Sequence, residues 1–168
     1  MSVILTSDIL NELITSKKLK IIKKTQKISE NSNYYFTPSL GINLYKPKIT
    51  FIKSNFIVLE FDKYEFYNLL KLLQNINDKL QNKLKNEYSE LFNQDIYNII
   101  SEQENTFTLR CHLPNKNGKY FIKCNDSTIG FKLPKVNSYL DSALVEIRNV
   151  WCYDSKYGFN IELKSINY

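Results

Sequence analysis

Only four glycines and four prolines occur among 168 residues. That excludes a collagen-like, linker-rich or low-complexity chain. Histidine occurs once, at His112, and cysteine three times, at Cys111, Cys124 and Cys152. No CxxC pair is present, so the ligand sets of ordinary zinc sites are excluded and no metal or cofactor is expected. An odd number of unpaired cysteines reads as reduced thiols in an intracellular protein. There is no glycine-rich phosphate loop and no GxSxG, which removes two common catalytic frameworks. Cys111 and His112 are neighbours in a strand pattern, so their side chains should face opposite ways, which disfavours a couple between them. Acidic pairs fall only in a helical stretch, where a solvated face explains them. These absences lead us to expect a protein that is not an enzyme. No apolar run reaches the roughly 20 residues of a bilayer span, and no charged-then-apolar signal pattern opens the chain. A soluble protein without a membrane partner is expected.

What the sequence does have is aromatic and basic. Twelve tyrosines and ten phenylalanines bring the aromatic share to 14%, and the net charge is +6. Lysine, asparagine and isoleucine are frequent, a bias that AT-rich coding produces, so the lysine total alone carries little. The distribution says more. Residues 1–60 carry 9 basic and 4 acidic groups, residues 61–104 carry 5 and 8, and residues 105–168 carry 9 and 5. Two basic segments flank an acidic one, and a basic segment is the electrostatic footprint of a polyanion binder or a solvated lysine-rich surface.

Along the chain, residues 6–16 have the stripe of a short amphipathic helix, followed by a lysine run from Lys17 to Lys27. Tyr34, Tyr35 and Phe36 read as a strand before a Pro38–Gly41 turn region. KITFIK (48–53) and FIVLEF (56–61) alternate and flank a two-residue Ser54-Asn55 turn, the pattern of a β-hairpin. From Asp62, with Glu65 three residues on, a capping box opens a long helical region. Its apolar stripe runs through Leu69, Leu70, Leu73 and Ile76 to Ile96, Ile99 and Ile100. After residue 105 the period changes to two: TFTLRCHL (106–113), KYFIKC (119–124), TIGFKL (128–133), ALVEIRNVW (143–151) and GFNIELKSI (158–166). A three-strand meander, a connection and a two-strand hairpin make the strand order of a five-stranded barrel of the OB (oligonucleotide-binding) type.

The expected fold is therefore α+β, a C-terminal five-stranded OB-like β-barrel with an N-terminal β-hairpin and a long amphipathic helix region. The expected division is 1–33, helix and basic arm; 34–104, hairpin and helical region; and 105–168, barrel, with 34–168 as one combined domain the alternative.

Such barrels bind oligonucleotides over strands 2 and 3, between the first and last hairpin loops. Cations there track phosphates and flat rings stack on bases. Strand 2 offers Lys119, Phe121 and Lys123 on one face. Arg110 comes from strand 1, Lys132 from strand 3 and Arg148 from strand 4. The last hairpin offers Trp151, Tyr153, Lys156 and Tyr157. Phe131 and Phe159 read as core, and Trp151 is divided between core lid and stacking platform. His112 reads as a surface strand residue.

The stretch VEIRNVWCYDSKYGFNIELKSI (145–166) carries Val150-Trp151 and Tyr157-Gly158-Phe159 around a short polar turn. It resembles the closing hairpin of OB-fold single-stranded-DNA-binding proteins of large eukaryotic DNA viruses and related elements, such as virophages and cytoplasmic linear plasmids. KYFIKC and FKLP are similar to that group's middle strands. The resemblance implies sequence-independent coating of single-stranded DNA, or RNA, during replication of a viral or plasmid genome, in the host cytoplasm. The chain departs from the replicative pattern in ending IELKSINY, without an acidic tail. Two alternatives stand beside this reading for the 62–100 helix region: recruitment of replication proteins or self-association, and a structural role in a replication or transcription complex.

Overall fold

The computed structural model describes residues 32–87, 95–125, 127–128, 133–153 and 156–168. The expected N-terminal helix, the lysine run and Lys132 lie outside them.

Twelve strands and one helix follow one another in the described residues. They are β1 (Ser32–Tyr45), β2 (Lys48–Lys53), β3 (Phe56–Asp62), α1 (Tyr67–Glu87), β4 (Asp95–Tyr97), β5 (Ile100–Glu102) and β6 (Thr106–His112). After them come β7 (Asn115–Lys116), β8 (Lys119–Tyr120), β9 (Lys123–Cys124), β10 (Ser127–Thr128), β11 (Ser142–Tyr153) and β12 (Lys156–Asn167). Ten strands form one open mixed sheet with the main order β1-β11-β12-β6-β3-β2, and β7 and β8 form a separate hairpin.

This overturns the expected five-stranded C-terminal barrel. The meander reading pairs β6 with the strand that follows it, but β6 lies instead against β3 over its whole length. The reason is matched alternation. Ile57, Leu59 and Phe61 face Cys111, Leu109 and Phe107 across the ladder, and all six are buried. Each such side chain removed from water contributes about 1.5–3 kcal/mol. KYFIKC has no comparable continuous partner, and its strand is broken between Tyr120 and Lys123. Likewise β11 pairs on one side with β12 and on the other with β1.

The long helical region is also corrected. Asp62 caps the turn at residues 63–66 and not the helix itself, which begins at Tyr67: its carboxylate accepts from the backbone N–H groups of Tyr64 and Glu65 at 2.9 and 2.8 Å. Moreover, α1 ends at Glu87, and Ile96 and Ile100 lie in strands β4 and β5. Their helix-like spacing is coincidental, and β-branched isoleucines favour the extended chain.

Leu70, Leu73 and Ile76 of α1 join the buried residues of the sheet in one hydrophobic core. Phe61 and Phe107 stack at its centre, ring centres 5.1 Å apart. Strands from both sides of residue 104 share this core.

Two features position the site. First, β1 and β2 stand at opposite ends of the sheet order yet are separated in the chain only by Lys46 and Pro47. Lys46 takes a left-handed φ of 48° to turn the corner. Residues Asn137–Asp141 lace over it, with Lys46 N–H donating to Asp141 O at 3.1 Å and Ile49 N–H to Ser138 O at 2.9 Å. The sheet therefore curls until its edges meet at this corner without pairing. Second, β6 and β12 meet at a single parallel register, His112 with Glu162. Away from that point they diverge. β4 fills one side by pairing with Lys156–Gly158, while β5 pairs with Phe107–Leu109.

Candidate nucleic-acid interface

The divergence leaves a gap in the sheet. It is bounded by the His112–Glu162 pair, the Tyr97–Gly158 pair and the Ile100–Leu109 pair. Among the described residues, Arg110 and Cys111 on β6 and Phe159–Ile161 on β12 have no strand partner facing the gap. A cleft of about 470 Å³ occupies it, lined by Tyr97–Ser101, by Thr108, Arg110 and His112, by Phe159–Ile161, and by Asn55 and Phe56. That volume falls within the roughly 300–1,000 Å³ range of small-ligand pockets.

Beside the cleft runs a ladder of rings and cations. Phe51 and Phe56 stack with ring centres 5.5 Å apart and planes 25° from parallel. The Lys53 ammonium lies 5.8 and 5.9 Å from those two ring centres. The guanidinium of Arg110 stands 4.0 Å over the other end, at Phe56. Contacts of this kind between a cation and a ring face are attractive, and they hold Arg110 at the mouth of the cleft.

A β-bulge creates this arrangement. Ile49 faces Leu59 and is fully buried, and strict alternation would bury Phe51 as well. The register shifts between Ile49 and Phe51, which turns Phe51 out to 42% exposure. One extra residue in a strand reverses every side chain after it.

The β7–β8 hairpin is tied alongside. Its Asn117-Gly118 turn has φ of 55° and 76°, the geometry of a type I′ turn. Asn115 Nδ2 donates to Ser54 O at 3.0 Å and Leu113 N–H to Asn55 O at 2.8 Å. Lys116 and Lys119 on the hairpin, and Lys53 before the β2–β3 turn, thus come from two neighbouring loops. Among the described residues none of Lys53, Arg110, Lys116, Lys119 and Lys123 is in an ion pair. By contrast, Lys48, Lys63 and Lys164 each face carboxylates: Glu60, Glu102, and both Glu146 and Glu162.

Of the residues expected in the site, Arg110 lines the cleft. Lys119, Phe121 and Lys123 are exposed while Ile122 and Cys124 are buried, so the alternation holds although the strand is interrupted. Lys156 is exposed at the start of β12. The backbone puts Arg148, Trp151 and Tyr153 on β11 and Tyr157 on β12, and their side chains are outside the description. Trp151 pairs with Gly158, which in turn pairs with Tyr97 at the rim of the cleft. Sequence reading missed Phe51, Lys53, Phe56, Tyr97, Asn98 and Asn160. The segment FIKSNF holds the one usable signal, two rings and a lysine around a two-residue turn.

No family model matches the chain, and no curated protein matches it in sequence.

Proposed function

We propose that this protein binds single-stranded nucleic acid across the surface formed by Phe51, Lys53, Phe56 and Arg110 beside the β6–β12 cleft. The observation that carries this reading is the ring-and-cation ladder itself. Exposed rings offer stacking platforms worth about 1–3 kcal/mol per base. Lys53, Lys116 and Lys119, without carboxylate partners among the described residues, supply the charge that follows phosphates. A duplex hides its base faces from stacking, so single strands are the better fit. The reading rests on this surface and not on a barrel. The resemblance of the closing hairpin adds only a setting, the coating of exposed strands during genome replication. Recruitment of a protein by the apolar stripe of α1 has less support, because Leu70, Leu73 and Ile76 are buried in this chain's own core.

Fluorescence anisotropy with labelled single- and double-stranded DNA and matching RNA, across a salt series, tests the proposal. Salt-sensitive binding that favours single strands and weakens in Phe51→Ala is expected. Equal affinity for duplex, or no binding at low salt, would overturn it.

A further inference from the structure

Resting on the single-strand reading above, we propose that the β6–β12 cleft receives one nucleobase from the bound strand and prefers guanine. The cleft differs chemically from the ladder beside it. Its lining holds one arginine, and its other polar side chains are amides and hydroxyls, Asn55, Asn98, Asn160, Ser101 and Thr108, together with His112. A phosphate would call for more than one cation, and Lys53, Lys116 and Lys119 are not among the lining residues. Ile99, Ile161 and the ring of Tyr97 supply apolar wall to the cleft. Apolar walls with a few polar groups at the edge suit a planar heterocycle.

Arg110 decides which heterocycle. Phe56 packs against its guanidinium at 4.0 Å, and among the described residues it has neither a carboxylate nor a carbonyl partner. Its planar fork of donors is therefore held in place and unused. A fork of this shape matches two adjacent acceptors in one plane, which guanine supplies with O6 and N7; adenine sets an amino donor beside N7, and thymine a methyl beside O4, while cytosine's O2 and N3 form a second such pair on a single ring that fills less of the cleft of about 470 Å³. Asn98, whose side-chain amide lies 3.4 Å from that of the buried Asn77 of α1, adds a second polar group to the lining.

The test uses the full chain and oligothymidylates of one fixed length whose central base is thymine, guanine, 7-deazaguanine, adenine or cytosine. Guanine is expected to bind roughly tenfold tighter than thymine, within the range of a bidentate arginine contact. 7-Deazaguanine, which lacks N7, should lose most of that gain, an arm that needs no variant. Arg110→Lys should weaken every complex and erase the difference between guanine and thymine. Equal affinities across the set, cytosine binding as well as guanine, or a guanine preference that survives Arg110→Lys would each overturn the base assignment. If oligothymidylate binds and guanine adds nothing, only this inference falls. If none of the oligonucleotides binds, the single-strand reading falls with it.

Discussion

Phe56 and Arg110 are diagonal neighbours across the β3–β6 ladder: Phe56 faces His112, Arg110 faces Val58, and the guanidinium lies 4.0 Å over the ring. The pair acts as one unit, since Phe56 stacks on the exposed Phe51 and also lies under Arg110, so that it positions both the ring open to a base and the plane of the cation. Phe56→Leu should lower single-strand affinity by about 1–3 kcal/mol, and Arg110→Ala by a similar amount. The double substitution should cost less than the sum, as coupled contacts do. Anisotropy titrations of the four proteins give the cycle, and strictly additive losses would show that the two side chains act separately.

Lys116 and Lys119 stand on a hairpin whose position is fixed by Asn115 and Leu113. Replacing both with alanine should flatten the plot of log affinity against log salt by roughly 1.4, the value for two phosphate contacts on a single strand. Lys164→Ala is the control, because Lys164 is held by Glu146 and Glu162. An equal flattening from the control would mean that ion pairing on this surface does not decide which lysines meet phosphate.

Glu102 ties three elements together. Its carboxylate meets Lys63 Nζ at 2.9 Å and accepts from Gln74 Nε2 at 2.6 Å. The Lys63 contact first, and then the Gln74 amide, hold its pKa below the ordinary 4.5. A depressed folded-state pKa contributes stability that is present above the unfolded value and is lost as pH falls through the folded one. The melting temperature of Glu102→Gln should therefore lie below that of the parent at pH 7, with the gap closing as pH drops below 4.5. A gap that stays constant down to strong acid would remove the linkage.

Burial pushes the Cys111 thiol far above its usual range, and the thiolate is the form that reacts. A thiol reagent at neutral pH should leave Cys111 unmodified in the native protein and modify it fully in denaturant. Peptide mass spectrometry after labelling reads this directly. Native labelling as fast as denatured labelling would place Cys111 at the surface.

Local pattern made part of this molecule legible. The period-two run 106–113 correctly sends Phe107, Leu109, Cys111 and Leu113 inward, and the hairpin of β2 and β3 forms around Ser54-Asn55 as its turn residues suggest. Partner choice was not legible, because alternation defines a buried face without naming the strand beside it. Nothing within β6 points to β3, and nothing within β11 points to β1. Arg110 could be found as a strand cation on the outer face. Phe51 could not, because its exposure depends on the bulge after Ile49. The cleft arises only from the divergence of two strands that meet at one register, a relation no single segment contains.

The two-residue corner between β1 and β2 has a consequence for synthesis. β2 finds β3 immediately, but β1 pairs with β11, Ser32 with Tyr153 and Tyr45 with Ser142. On a ribosome adding roughly 5–20 residues per second, a partner about a hundred residues later arrives about 5–20 seconds later. β1 is made before every other described strand of the sheet and is among the last of them to be paired. For that interval its backbone is an open edge on the nascent chain, and occupying it early, by a chaperone or a neighbouring polypeptide, would decide whether β1 pairs with β11 or with another molecule.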